Sequence, residues 1–345
     1  MFPVEKRRIG WVDAAKGMAI FLVVLGHNPL PGIAIKLIYA LNVPIFFMMS
    51  GYTFNSAKYP SLFSLIKRLF FSVLVPYVIM NLLAFPIYYL ARGQAVDLEL
   101  FLDVLGGMAY GVGTMQSLRV NIPLWFLPCI FVVQCLWYLI DRYGGRIKVL
   151  LVLSASLIGY FMPVFVPVRL PWGADVALTG VVFFALGGLL RQRTITESMS
   201  KSRLIIAFLL LLGLNLVFNL MNKAAAPNVD LNILRFGNYI LFYLCALCGC
   251  GAIIAFAHIV QRSWLLGCIG RNTLWILGLH SIFIQIFEVV LKVNIISIRA
   301  FNSLFLTVLE IVCVLLLKLV YDGIRTVMAR TRALRESDGK TMSRV

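Results

Sequence analysis

The chain has 345 residues, of which 61% are hydrophobic and 13% charged, and carries a formal net charge of +17; its mean hydropathy is +0.94. No water-soluble fold of this length hides so much apolar surface, so soluble globular and disordered classes are excluded and the chain reads as an all-α, polytopic transmembrane helical bundle. The lipid bilayer is therefore its first partner, and the positions of the cations argue against nucleic acid.

Apolar runs of roughly 17 to 25 residues, the length that crosses a bilayer as a helix, recur about ten times, near 12–29, 36–55, 66–90, 122–141, 148–166, 174–190, 203–221, 235–258, 270–291 and 301–321. With the amino terminus in the cytoplasm, Lys6, Arg7, Arg8, Lys58, Lys67, Arg68, Arg142, Arg146, Lys148, Arg191, Arg193, Lys201, Arg203, Arg262 and Arg271 fall inside. The tail from Arg325 to Arg344 joins them, leaving only Lys36, Arg92, Arg119, Arg169, Lys223, Arg235, Lys292 and Arg299 outside. This is the positive-inside pattern, and both termini are expected in the cytoplasm. A transmembrane unit over 1–322 is followed by a basic cytoplasmic tail over 323–345, a helix end passing into disorder. The first apolar run is long, lacks a small-residue cleavage site and leads into further spans, so it is expected to remain as a span and not to be cleaved.

The first span reads Trp11-Val-Asp-Ala-Ala-Lys-Gly-Met-Ala-Ile-Phe-Leu-Val-Val-Leu-Gly-His27 and sets Asp13, Lys16 and a lone His into apolar sequence. Ionisable groups inside a bilayer are costly and by default functional. At about 100° per residue, the steps from Lys16 to His27 make almost three whole turns; the two share a stripe roughly 16 Å long, and Asp13 lies roughly 40° from His27. Asn28-Pro-Leu-Pro-Gly32 then ends the helix at the outer surface, which sets Lys16 near the cytoplasmic interface and His27 in the outer half. Taken singly, Lys16 is a snorkelling anchor and His27 a packing histidine; the shared stripe argues for a site. Asp13 is too far down the helix to orient His27 and is expected to pair with Lys16 or cap the helix start.

The second span ends Val43-Pro-Ile-Phe-Phe-Met-Met-Ser50-Gly51-Tyr52. Pro44 and the Ser50-Gly51 pair are expected to unwind or kink it close to the cytoplasmic side, where freed backbone lines a cavity. Lys67 and Arg68 precede a third span interrupted by Pro76-Tyr77. They either anchor topology or, with Lys16, form a basic mouth for a polyphosphate. The external stretch 91–121 is expected to hold a short interfacial helix and a flexible flap. Trp125, in Pro123-Leu-Trp-Phe-Leu127, belongs to an aromatic belt or stacks on an acceptor near His27. A second intramembrane His, His280, and Glu310 near mid-depth complete the ionisable set. Cys245, Cys248 and Cys250 lack a nearby His or carboxylate and are read as helix packing, with no metal site expected.

The ordered combination of these pieces resembles the acyltransferase 3 family. It runs from a basic residue eleven positions before Gly-His, through Pro-x-Phe-Phe-x-x-Ser-Gly-Tyr, Arg-Leu followed by Pro-Tyr, and Pro-Leu-Trp-Phe-Leu, to a late Gly-x-Asn-Thr-Leu-x-x-Leu-x-Leu-His. The likeness spans Trp11 to about Asp322, and its fucose 4-O-acetylase-like branch is nearest in pattern. The resemblance implies a bacterial-type inner-membrane O-acyltransferase. It would move an acetyl group from cytoplasmic acetyl-CoA, a co-substrate and not a resident cofactor, to a hydroxyl of a cell-surface or lipid-linked glycan. On that likeness His27 matches the essential first-helix His, whether as general base or acyl carrier. Lys16 falls where the family usually has Arg, and Lys cannot make the bidentate fork. The donor side would then comprise Lys16, Lys67, Arg68, Ser50 and Gly51, and the acceptor or supporting side Asp13, Trp125, His280 and Glu310. A transporter or flippase, or a non-catalytic polysaccharide-export partner, stays open beside this reading.

Overall fold

The computed structural model describes residues 9–166, 168–192, 199–290 and 300–342. Lys6, Arg7, Arg8, Arg193, Lys292, Arg299 and Arg344 lie outside them. The described residues form an all-α bundle; the only extended pairing among them is an isolated bridge between Asp230 and Arg235. Nine helices among them are long and apolar enough to cross a membrane, against the ten runs expected. The missing one is α13 (Thr273–Val290), whose apolar part, Thr273–Phe287, falls short by length.

Contacts nevertheless make α13 a crossing. Helix α12 (Trp264–Arg271) packs against the start of α1 (Gly10–His27), with Gly270 against the Asp13 carbonyl. Helix α14 (Ala300–Met342) begins at the opposite end of α1, where the Ser303 hydroxyl donates to the Pro29 carbonyl. Helix α13 must therefore run from one end of α1 to the other, so α1 and α14 open and close the bundle on the same side. That side gathers the cations of the short loops: Arg191 donates to the Phe54 carbonyl at 3.1 Å, and Lys148 pairs with Asp141 at 2.5 Å. The tail does not break after Asp322, since α14 continues as one helix to Met342.

Helix α1 is central, packed by α3 (Asn42–Thr53), α11 (Tyr239–Ile259), α12, α13 and α14. The span that includes α9 (Ala174–Gln192) is 61% buried, whereas α10 (Lys201–Met221) is 17% buried and offers Ile206, Leu209 and Leu210 to lipid. This ordering follows from side-chain size. Without a hydrophobic force between helices in lipid, small residues decide which backbones touch. A Cβ on Gly51 would stand 1.9 Å from the Phe184 carbonyl oxygen of α9, and one on Gly187 would stand 1.9 Å from that of Met48. Likewise Cys245 and Cys250 are buried on α11, whose Cys245 carbonyl accepts from Asn215 of α10 at 2.6 Å.

Two spans are broken, and proline causes both breaks. The second span splits into α2 (Gly32–Tyr39) and α3 at Ala40-Leu41, in the outer half, while Pro44 and Ser50-Gly51 sit inside an unbroken α3. The break therefore lies upstream of the expected position, because a proline ring clashes with the carbonyl four residues before it, here that of Ala40. In the third span, α4 (Leu62–Leu69) and α5 (Val75–Leu90) are joined by a π-turn over Phe70–Leu74. Pro76 has no N–H to give the Ser72 carbonyl, so the ladder widens there.

The external stretch is pinned and not a loose flap. Its helix α6 (Leu98–Tyr110) is capped by Asp97, the Tyr77 hydroxyl donates to the Met108 carbonyl at 2.7 Å, and Asn121 donates to the Gly278 carbonyl at 2.8 Å. Because Gly51 meets backbone and not a flexible side chain, Gly51→Ala is expected to cost about 1–3 kcal/mol of overpacking. Thermal unfolding of the detergent-solubilised protein, compared with Gly106→Ala where a Cβ meets open space, measures that cost.

Candidate active site

His27 is the last residue of α1, and three neighbours fix where it points. Asn28 next to it is 3% exposed, and its side-chain amide lies 3.1 Å from the Thr307 hydroxyl and 3.2 Å from a Glu310 carboxylate oxygen on α14. Tyr39 of α2 donates to the Gly26 carbonyl at 3.3 Å. His280 of α13 lies behind, its ring centroid 5.3 Å from that of His27. The Nδ1 of His280 is 2.9 Å from the Ile276 carbonyl, so Nδ1 carries a proton, and Nε2 has no hydrogen-bond partner among the described residues. His280 and Glu310 are thus fully buried supports, 0% and 1% exposed, and Glu310 reaches Asn28, not either histidine.

In front of His27 is a cavity of about 530 Å³, within the range of small-molecule sites. Lys16 and His27 both line it, so the stripe inferred from helical spacing faces one hollow. Asn42, Ser50, Trp125, Gln134, Asp230 and Asn232 also contribute to its wall. A second cavity of about 210 Å³ adjoins it, lined by Lys58, Tyr59 and Arg68. Ser50, Ser72, Val73 and Gln134 belong to both walls. The π-turn supplies Ser72 and Val73, as π-turns often mark functional positions. Arg68 donates to the Tyr59 hydroxyl and lies over that ring, 5.5 Å from its centroid, which holds the guanidinium at the mouth.

Several expected members fall elsewhere. Lys67 is exposed and lines neither cavity, because α4 buries Leu65 and Leu69 and turns Lys67 away; Lys58 takes its place. Gly51 lines neither cavity and serves the α3–α9 contact. Asp13 lies in the first turn of α1, whose N-cap is Ile9; it neither caps the helix nor pairs with Lys16 within 4 Å. Lys58, Ser72, Gln134, Asp230 and Asn232 escaped the sequence reading. A lone Gln in the apolar run of α7 (Phe126–Tyr143) and a Ser four residues before Pro76 were the signals available.

The outer end is closed by the loop between α10 and α11. A Cβ on Gly113 would stand 2.3 Å from Asn232 Oδ1 and 2.6 Å from the Trp125 indole, so glycine there lets both side chains converge on the cavity. Asp230 lies outside the spans, accepts from the Asn232 N–H at 2.9 Å, and is pushed above the usual carboxylate range by burial, against the pull of that bond and Arg235. A raised carboxyl holds its proton more tightly folded than unfolded, so its contribution to stability falls as pH rises above about 3.8. Asp230→Asn is expected to flatten this decline and to be neutral or stabilising at pH 7, read from unfolding temperature against pH.

A family model described as an acyltransferase domain matches residues 9–320. Among curated proteins and solved structures none matches. The matched stretch takes in every residue of both cavities, from Lys16 on α1 to Leu277 on α13. Broken helices around a hollow bundle and this match together make the chain a multi-pass membrane protein that belongs to the acyltransferase 3 family.

Proposed function

We propose that the protein transfers an acyl group, acetyl in the first instance, from cytoplasmic acyl-CoA to a hydroxyl of a cell-surface or lipid-linked glycan at a bacterial-type inner membrane. One observation carries this reading. His27 and Lys16 line one cavity, and that cavity adjoins a second, basic one at the end of the bundle where the loop cations gather. A charged nucleotide cannot cross hydrocarbon, but Lys58 and Arg68 can hold its phosphates while the thioester reaches inward. Lys16 is the innermost cation on that path.

The chemistry asks for a base and for exclusion of water. His27 takes the proton of the acceptor hydroxyl as its oxygen attacks the thioester carbonyl carbon. The C–S bond then breaks, the thiolate leaves, and it recovers the proton from the imidazolium as the glycan ester forms. His280 packs behind His27 and Asn28 ties the helix end to α14, so the ring keeps its aim through the proton's two moves. Trp125 offers the acceptor sugar a flat face at the other end of the cavity. A transporter calls for charges near mid-membrane with inverted-repeat symmetry; a cationic mouth at one end suits a donor that enters and leaves on one side.

His27→Ala is expected to lower label transfer from radiolabelled acetyl-CoA to membrane glycan by roughly 10²–10⁴-fold at unchanged protein level. Transfer at the unmodified rate removes His27 from the reaction. Lys16→Ala is expected to raise KM for acetyl-CoA more than it lowers kcat, and Lys16→Arg to restore it, because either cation at that position draws the anionic donor inward. Initial rates against donor concentration separate the two parameters.

A further inference from the structure

Where the two cavities meet, three polar side chains from three helices face one another in an otherwise apolar wall. Ser50 comes from α3, Ser72 from the π-turn and Gln134 from the middle of α7, among Val43, Phe46, Val73, Leu127 and Ile130. Elsewhere in the bundle, by contrast, Asn81 donates to the Tyr77 carbonyl at 2.9 Å and Asn215 to that of Cys245 at 2.6 Å. No hydrogen bond to protein engages the side chains of Ser50, Ser72 or Gln134 among the described residues. Polar groups inside a membrane protein are costly unless satisfied, so a collar left unspent in this way is open to a ligand.

We infer that this collar is the subsite for the amide-bearing pantetheine arm of the donor and that Gln134 is its specificity-determining residue. The inference rests on the acyl-CoA reading of the site and deepens it. If the phosphates lie with Lys58 and Arg68 and the thioester lies at His27, the stretch between them has to cross the section ringed by Ser50, Ser72 and Gln134. In coenzyme A that stretch carries two secondary amides, each with one N–H and one carbonyl. A glutamine carboxamide offers both a donor and an acceptor, and a serine hydroxyl serves as either, so the collar matches an amide and not a bare hydrocarbon chain. Three rigid elements hold it: α3 locked to α9 through Gly51, the Pro76-induced π-turn, and the buried span of α7.

The test is displacement of radiolabelled acetyl-CoA from the purified full chain by three competitors: coenzyme A, pantetheine, and adenosine 3′,5′-bisphosphate. Gln134→Leu keeps the volume and removes the amide. It is expected to weaken displacement by coenzyme A and by pantetheine roughly tenfold, the scale of an unpaired polar group, and to leave the bisphosphate unchanged. Equal weakening of all three, or none, overturns the assignment. A second arm needs no variant: on the wild-type protein, a pantetheine analogue with both amides replaced by esters keeps the carbonyls and loses the N–H groups. It is expected to compete about tenfold more weakly, and equal competition overturns the collar. Failure of the wild-type protein to bind acetyl-CoA brings down the donor reading together with this one, whereas binding without discrimination removes the collar alone.

Discussion

A lysine and a histidine on one membrane helix are held at depth only if protein surrounds the helix and a polar hollow lies along its charged stripe. That requirement governs the bundle. Helix α1 has glycine where α12 crosses it, since a Cβ on Gly17 would stand 2.3 Å from the Leu266 carbonyl oxygen. Close approach on that face leaves a flank about a quarter-turn round the helix free to border the cavity, and the stripe from Lys16 to His27 takes it. The desolvation of two ionisable groups is thereby offset by packing elsewhere on the same helix.

The hollow is polarised from end to end. Cations line the inner mouth, an imidazole stands beyond them at the end of α1, and the outer end carries the Asp230 carboxyl with amide and indole groups. On the proposed reaction this gradient would sort the two co-substrates by chemistry, a polyanion at one end and a hydroxyl-rich molecule at the other, with the reacting atoms between them. The supports follow the same division. Thr307 and Glu310 of α14 brace the His27 end through Asn28, while Tyr59 braces the mouth.

Much of this could be read from the chain. Span positions, the placing of both ends on one side and the Lys16–His27 stripe follow from run length, the distribution of cations and a 100° step, all of them local or cumulative signals. Trp125 and Ser50 stood out by sequence and lie in the cavity wall. What could not be read depends on pairing between distant segments. Glu310 meets Asn28 across 282 positions, and no periodicity reveals that. Lys67 and Arg68 are adjacent in sequence, yet one faces outward and the other the mouth, a choice made by Leu65 and Leu69 burying the opposite face of α4. Asp230 and Asn232 arrive from a loop that composition alone leaves unremarkable.

The widened turn at Phe70–Leu74 sets the angular phase between the two halves of the third span. An ordinary α-helical path through those residues would be one residue shorter for the same rise, so every side chain before the turn would swing by about 100° relative to those after it. Arg68 before the turn and Tyr77 after it now face the mouth and the Met108 carbonyl respectively; only the extra residue allows both orientations in one continuous span. The third span is thus a rotational coupling between the cationic rim and the opposite half of the bundle, and its length in residues is fixed more tightly than its composition.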